Sequence, residues 1–214
     1  MRALPNLLTA GRLALSLAVL LLLLAAAGAP PFSQAQALHA LALRSWAFAA
    51  FAVAAITDFF DGWLARRWNV VSLLGAVLDP IADKVLVAGA VIGLVAAGDA
   101  AAALPGGLIL FREFAVSALR ETLAPKGLRL PVTLLAKWKT TVQLIALAAM
   151  IEAPALVAGL SYASEHARTV VFETATKLSL WLLWLAAAIT VWTGVEYGLA
   201  ARRALAAQRP RAEA

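Results

Sequence analysis

The sequence predicts an all-α fold: a polytopic integral membrane bundle of six transmembrane helices, one domain over residues 1–214, with the N- and C-termini cytoplasmic. Three observations lead there. Of the 214 residues, 63% are hydrophobic and 14% charged, with a mean hydropathy of +0.86, far from the usual mix of a water-soluble domain. The apolar residues gather into six runs, each near the ~20 residues a helix needs to span a bilayer. Lysine and arginine crowd into alternate connections, the pattern that sets orientation in a membrane.

The first run, Leu7 to Ala27, opens on LPNLLTAGR. With Arg2, Arg12 and the small residues of AAAGAPP it also resembles a cleaved signal peptide, but Asn6, Thr9 and Arg12 stand where such a peptide would begin its apolar core. The second and third runs, Leu38 to Phe60 and Leu73 to Ala97, are joined through Arg66 and Arg67. The fourth, Leu104 to Leu123, and the fifth, Leu134 to Ile151, are joined through Lys126 and Arg129, with Lys137 and Lys139 just beyond. The sixth, Phe172 to Leu199, leads into Arg202, Arg203, Arg209 and Arg211. The linkers GAPPFSQAQALH and GDAAAALPGG lack Lys and Arg, and SYASEHARTV has only Arg168. Pro30, Pro31, Pro105, Pro125, Pro131 and Pro154 read as turn or helix-end punctuation. The bilayer interior offers the backbone no water, so the spans are helices; the two-residue alternation of a membrane barrel is missing. Zero cysteines exclude disulfides, thiolate catalysis and cysteine-held zinc or iron–sulfur centres. The net charge of +6 suits anionic headgroups or phosphorylated substrates.

Against this background DFFDGWLARRWNVVSLLGAVLDPIADK, residues 58–84, places four aspartates and two arginines between apolar runs. At ~100° per residue, Asp58 and Asp61 lie about 60° apart, on one helix face. On the next helix Gly75, Asp79 and Asp83 recur every four residues along one stripe. Pro80 removes a backbone donor and is expected to bend or start that helix. Four carboxylates thus come from facing helix ends, just inside the cytoplasmic side. Crowded carboxylates repel strongly at low dielectric, and ionisable groups within a membrane are functional by default. Oxygen ligands without Cys or a supporting His suit a hard cation, Mg2+ or Mn2+, and four acids suffice for two ions. Gly62 and Gly75 either open the acid-bearing faces to a bulky group or let helices pack closely. Arg66 offers a phosphate-binding fork, whereas Arg67 serves as a topology charge. Two metals, an arginine and two open glycines describe a diphosphate site, which makes phosphoryl-type transfer the leading chemistry. An ion-coupled transporter is the alternative from another class. Acids near one face instead of the midplane, and the lack of an inverted repeat, count against it.

Asp58, Asp61, Gly62, Ala65, Arg66, Gly75, Asp79 and Asp83 fit every fixed position of D-x2-D-G-x2-A-R-x8-G-x3-D-x3-D. In this the chain resembles the CDP-alcohol phosphotransferase family. The resemblance implies that Asp58, Asp61, Asp79 and Asp83 bind two divalent ions and that Asp83 is the general base. It further implies that Gly62, Ala65, Arg66 and Gly75 lie against the CDP-linked donor. LPNLLTAGRLALSL, ITDFFDGWLARR, LDPIADK, FREFAVSALRE and LAKWKTTVQ are most similar to the bacterial phosphatidylglycerophosphate synthase branch. That branch joins CDP-diacylglycerol to sn-glycerol 3-phosphate in the bacterial inner membrane, and the family is usually homodimeric. No nucleic-acid partner is expected. Inositol phosphate, or phosphatidylglycerol as in cardiolipin synthesis, is the alternative acceptor within the family.

The basic residues bear on the acceptor. Arg112 and Arg120 on the fourth span, with Lys137 and Lys139 at the start of the fifth, approach the same end as the acids and would meet an acceptor phosphate. Lys137 and Lys139 point about 160° apart, so one of them reaches the pocket. Glu113 and Arg120, seven residues apart, would also suit a plain intramembrane ion pair. Thr140, Thr141 and Gln143 can hydrogen-bond substrate or neighbouring helices. Asn6, Thr9 and Arg12 either close the pocket or cap and orient the first helix. His39, His166, Arg44, Glu173 and Lys177 receive no functional role.

Overall fold

The structure is a computed structural model that describes residues 3–32, 39–68, 73–128, 134–160, 162 and 164–208. Side chains are described at these positions except 3–6, 59–68, 73–77, 79, 126, 134–137 and 207–208. Six long helices occupy them: α1 (Ala3–Ala26), α2 (Ala40–Trp68), α3 (Leu73–Ala96), α4 (Ala103–Leu123), α5 (Leu134–Gly159) and α6 (Glu165–Gln208). Runs of Ala and Leu carry high helix propensity, and a bilayer leaves the backbone no other way to satisfy its hydrogen bonds. Among the described residues five helices are long and apolar enough to cross a membrane on length and composition alone. The other helix, α3, carries Asp79, Asp83 and Lys84 of the expected site. The chain is an integral membrane protein.

One helix boundary departs from the proline expectations. Pro80 lies inside α3 and so does not start it, while Pro154, read as a helix end, lies inside α5, which runs on to Gly159. An interior proline cannot donate to the carbonyl four residues earlier. At Pro154 that carbonyl belongs to Met150, and Arg44 Nη2 donates to it at 3.0 Å while Arg44 Nε donates to Ile151 at 3.1 Å. The same Nη2 meets Asp99 at 2.7 Å. Arg44 therefore staples α2 to α5 and to the α3–α4 connection, which gives this buried cation a structural role. The last helix starts at Glu165, earlier than Phe172, and ends at Gln208. Its 44 residues make it about 66 Å long at 1.5 Å per residue, twice a ~30 Å hydrocarbon core.

Packing places α1 at the centre of the acid-bearing half. It lies against both α2 and α3, while α2 and α3 touch each other only slightly among the described residues. Gly93 permits the close approach of α3: a Cβ there would stand 2.6 Å from the Leu23 Cβ. On the other side α6 packs along α5 and α4, and α2 meets α5. Val19, Leu23, Phe51, Leu94, Leu147 and Leu183 form part of one continuous core. Polar side chains turn inward as well: Thr9, Arg12, Ser16, Arg44, Arg112, Lys139 and Gln143 are all buried, whereas Trp46, Ile56, Phe111 and Trp181 face outward. That inversion fits a lipid surround, where polar groups find partners only inside the bundle.

Candidate active site

Asp58, which the sequence places at a helix end, lies instead inside α2, since that helix runs on to Trp68, and Asp83 lies in the third turn of α3; both are half-exposed. Their Oδ1 atoms lie 2.7 Å and 2.9 Å from a single nitrogen, Nη1 of Arg12 on α1. Arg12 is 1% exposed. Its helix geometry is reinforced by Ser16, whose hydroxyl donates to the Arg12 carbonyl at 2.8 Å. Thr9, Arg12 and Asp83 also interact with neighbours beyond this bridge. Two acids from separate helices thus converge on one cationic point, and their all-oxygen donor set fits a hard divalent ion. Among the described residues no group of three or more potential metal ligands forms. The side chains of Asp61, Gly62, Ala65, Arg66, Gly75 and Asp79 lie outside the described set; their backbones belong to α2 and α3.

Asp83 is also one wall of a small cavity of about 90 Å3, lined by Lys84 and Val87 of α3, Glu113 of α4, and Thr140 and Gln143 of α5. Glu113 connects this cavity to the basic cluster. Its Oε1 accepts from Arg112 Nη1 at 3.2 Å and makes a close ion pair with Lys139 Nζ. Arg112 and Lys139 are buried, at 7% and 5% exposure. Arg112 Nη2 donates to the Thr193 hydroxyl at 2.9 Å, and Gly194 leaves room for the arginine stem, since a Cβ there would stand 2.8 Å from Arg112 Cγ. Arg120, exposed, donates to the Tyr197 hydroxyl at 2.9 Å, and its guanidinium stacks on the same ring at 4.9 Å. Buried cations at this depth need such partners, because desolvation without them costs several kcal/mol per charge.

The expected basic cluster therefore forms in part. Arg112, Arg120 and Lys139 come together around α4, α5 and α6; Lys137 lies outside the described side chains, so Lys139 is the member seen to reach inward. The Glu113–Arg120 pair is corrected: among the described residues Glu113 is paired with Arg112 and Lys139, and Arg120 with Tyr197. Thr140 and Gln143 face the cavity, while Thr141 is exposed and is not among its lining residues. Sequence reasoning gave Thr193 and Tyr197 no place. Their signal is the stripe Thr190, Thr193, Tyr197 at steps of three and four, one polar face on a very apolar helix.

Residues 2–192 match the sequence model of the CDP-alcohol phosphatidyltransferase family. The chain belongs to this family. Among similar proteins, one from Cereibacter sphaeroides named CDP-diacylglycerol–glycerol-3-phosphate 3-phosphatidyltransferase is 42% identical, over 72% of this chain and 82% of its own. A protein of the same name from Rickettsia bellii is 39% identical, covering 72% of this chain and 77% of its own. That of Escherichia coli K12 is 42% identical over 61% and 70%. In this member of the CDP-alcohol phosphatidyltransferase family Asp58, Asp61, Asp79 and Asp83 lie on α2 and α3, the two helices against which α1 packs.

Proposed function

We propose that this protein transfers the phosphatidyl group of CDP-diacylglycerol to sn-glycerol 3-phosphate, releasing CMP and leaving phosphatidylglycerophosphate. The observation that carries this reading is the shared cavity, with Asp83 on one wall and Glu113, tied to two buried cations, on the other. The names of the relatives at about 40% identity point to the same donor and acceptor.

Asp58, Asp61, Asp79 and Asp83 would hold the divalent ions, Mg2+ or Mn2+. When bound, such ions neutralise diphosphate oxygens and the charge that develops on the leaving CMP. Gly62, Ala65, Arg66 and Gly75 lie along the same two helix ends and would receive the diphosphate and its nucleotide. Asp83 takes the proton of the acceptor's terminal hydroxyl. The freed oxygen attacks the lipid-side phosphorus, the bond from that phosphorus to the bridging oxygen breaks, and CMP departs with the electron pair. Arg112, Arg120, Lys137 and Lys139 would bind the acceptor phosphate and hold its hydroxyl toward Asp83. Uncompensated, the three described cations and Glu113 leave a charge of two, a match for a phosphate dianion.

The positively charged connections support a site on the cytoplasmic face of a bacterial inner membrane, and family resemblance supports a homodimer. Purified protein given CDP-diacylglycerol, Mg2+ and one acceptor at a time should release CMP with glycerol 3-phosphate. Turnover with inositol phosphate or phosphatidylglycerol, and none with glycerol 3-phosphate, would reassign the acceptor.

A further inference from the structure

Arg12 has no part in the transfer just described, yet among the described residues it is the most completely buried cation near the acids. It reaches them from a third helix, and one nitrogen serves both carboxylates. Among the described residues, Asp58 of α2 and Asp83 of α3 are linked through Arg12 of α1. A buried guanidinium with two carboxylate partners offsets one of their two charges where a divalent ion would offset both, and the two cations cannot take the same oxygens fully at once.

We propose that Arg12 is a positioning residue that acts as the resident counter-cation of Asp58 and Asp83, holding α2 and α3 in register and competing with a divalent ion for those oxygens. This rests on the metal reading above. Linkage makes the competition reciprocal: what Arg12 adds to the stability of the metal-free protein it subtracts from metal affinity.

The test uses the full-length protein in detergent, stripped with chelator and titrated with Mn2+ alone, followed by the electron paramagnetic resonance signal of free Mn2+ and by Tm. Arg12→Gln keeps hydrogen-bonding capacity but removes the charge. It should bind Mn2+ at least about fivefold more tightly than the parent, at the low end of usual coupling between sites. It should also have a lower Tm in chelator and a larger rise in Tm on saturation. Arg12→Lys retains the charge on a stem that reaches less far and cannot fork, so it should fall between the two; it decides the question if the Gln variant does not fold. Equal or weaker Mn2+ binding in the folded variant would overturn the role given to Arg12 while leaving the metal site standing. No Mn2+ binding by the parent protein would overturn both.

Discussion

Asp83 faces the cavity with half its side chain exposed, so loss of its basicity should act on turnover before it acts on folding. Asp83→Asn is expected to lower kcat by about 10^2- to 10^4-fold, the usual contribution of a general base. CDP-diacylglycerol affinity, measured by calorimetry, should change much less; near-normal kcat would remove Asp83 as base. Lys139→Ala removes one of two cations held by Glu113. A lost charge-assisted hydrogen bond costs about 1.5–3 kcal/mol, so KM for glycerol 3-phosphate should rise roughly tenfold or more while KM for the donor stays put. Equal rises would mark Lys139 as a structural partner of Glu113 instead. At this scale helical spacing pairs Asp58 with Asp61 and Asp79 with Asp83, and of these four the described side chains are those of Asp58 and Asp83, which meet at Arg12. Arg12 could be read as closing the pocket or orienting the first helix, but not as the partner of Asp83, which lies 71 residues away, because no local pattern encodes which carboxylate an arginine meets.

The helices themselves were legible in number and approximate position, since six apolar runs of spanning length have few other solutions. Their ends were less so. Pro154 reads as a helix end, but Arg44 supplies a donor to the carbonyl that the proline leaves without one, and α5 continues. Which face of each helix turns inward could not be read from the apolar pattern, because lipid-facing and core-facing positions are equally apolar. Small residues mark the contact only once the partner is known. Gly93 and Gly107 look alike in sequence, yet only at Gly93 would a Cβ strike a neighbouring side chain, the 2.6 Å approach to Leu23; at Gly107 nothing lies within 4 Å. Gly93→Ala should therefore lower Tm in detergent, with overpacking costing about 1–3 kcal/mol, whereas Gly107→Ala should leave it unchanged. A Gly93→Ala protein as stable as the parent would mean that α1 and α3 separate without cost.

On the scale of the whole molecule, the orientation inferred from lysine and arginine can be tested without background, since the chain has no cysteine. A cysteine replacing Ser164 should react with a membrane-impermeant maleimide in intact spheroplasts. One replacing Arg203 should react only after permeabilisation. The reverse pattern would put the acids on the other face. By itself the sequence determined a six-helix membrane bundle, the two consecutive helices that carry the acids and the family, because bilayer thickness, helical period and a fixed acidic spacing act locally along the chain. The tertiary structure alone decided that α1 bridges Asp58 and Asp83 through Arg12, that Glu113 gathers Arg112 and Lys139, and that Arg120 turns to Tyr197. Arg12, Arg112 and Lys139 are buried, and desolvation makes each find a partner; Asp83 for Arg12, Glu113 for Lys139 and Tyr197 for Arg120 lie 71, 26 and 77 residues away, where no local spacing names them.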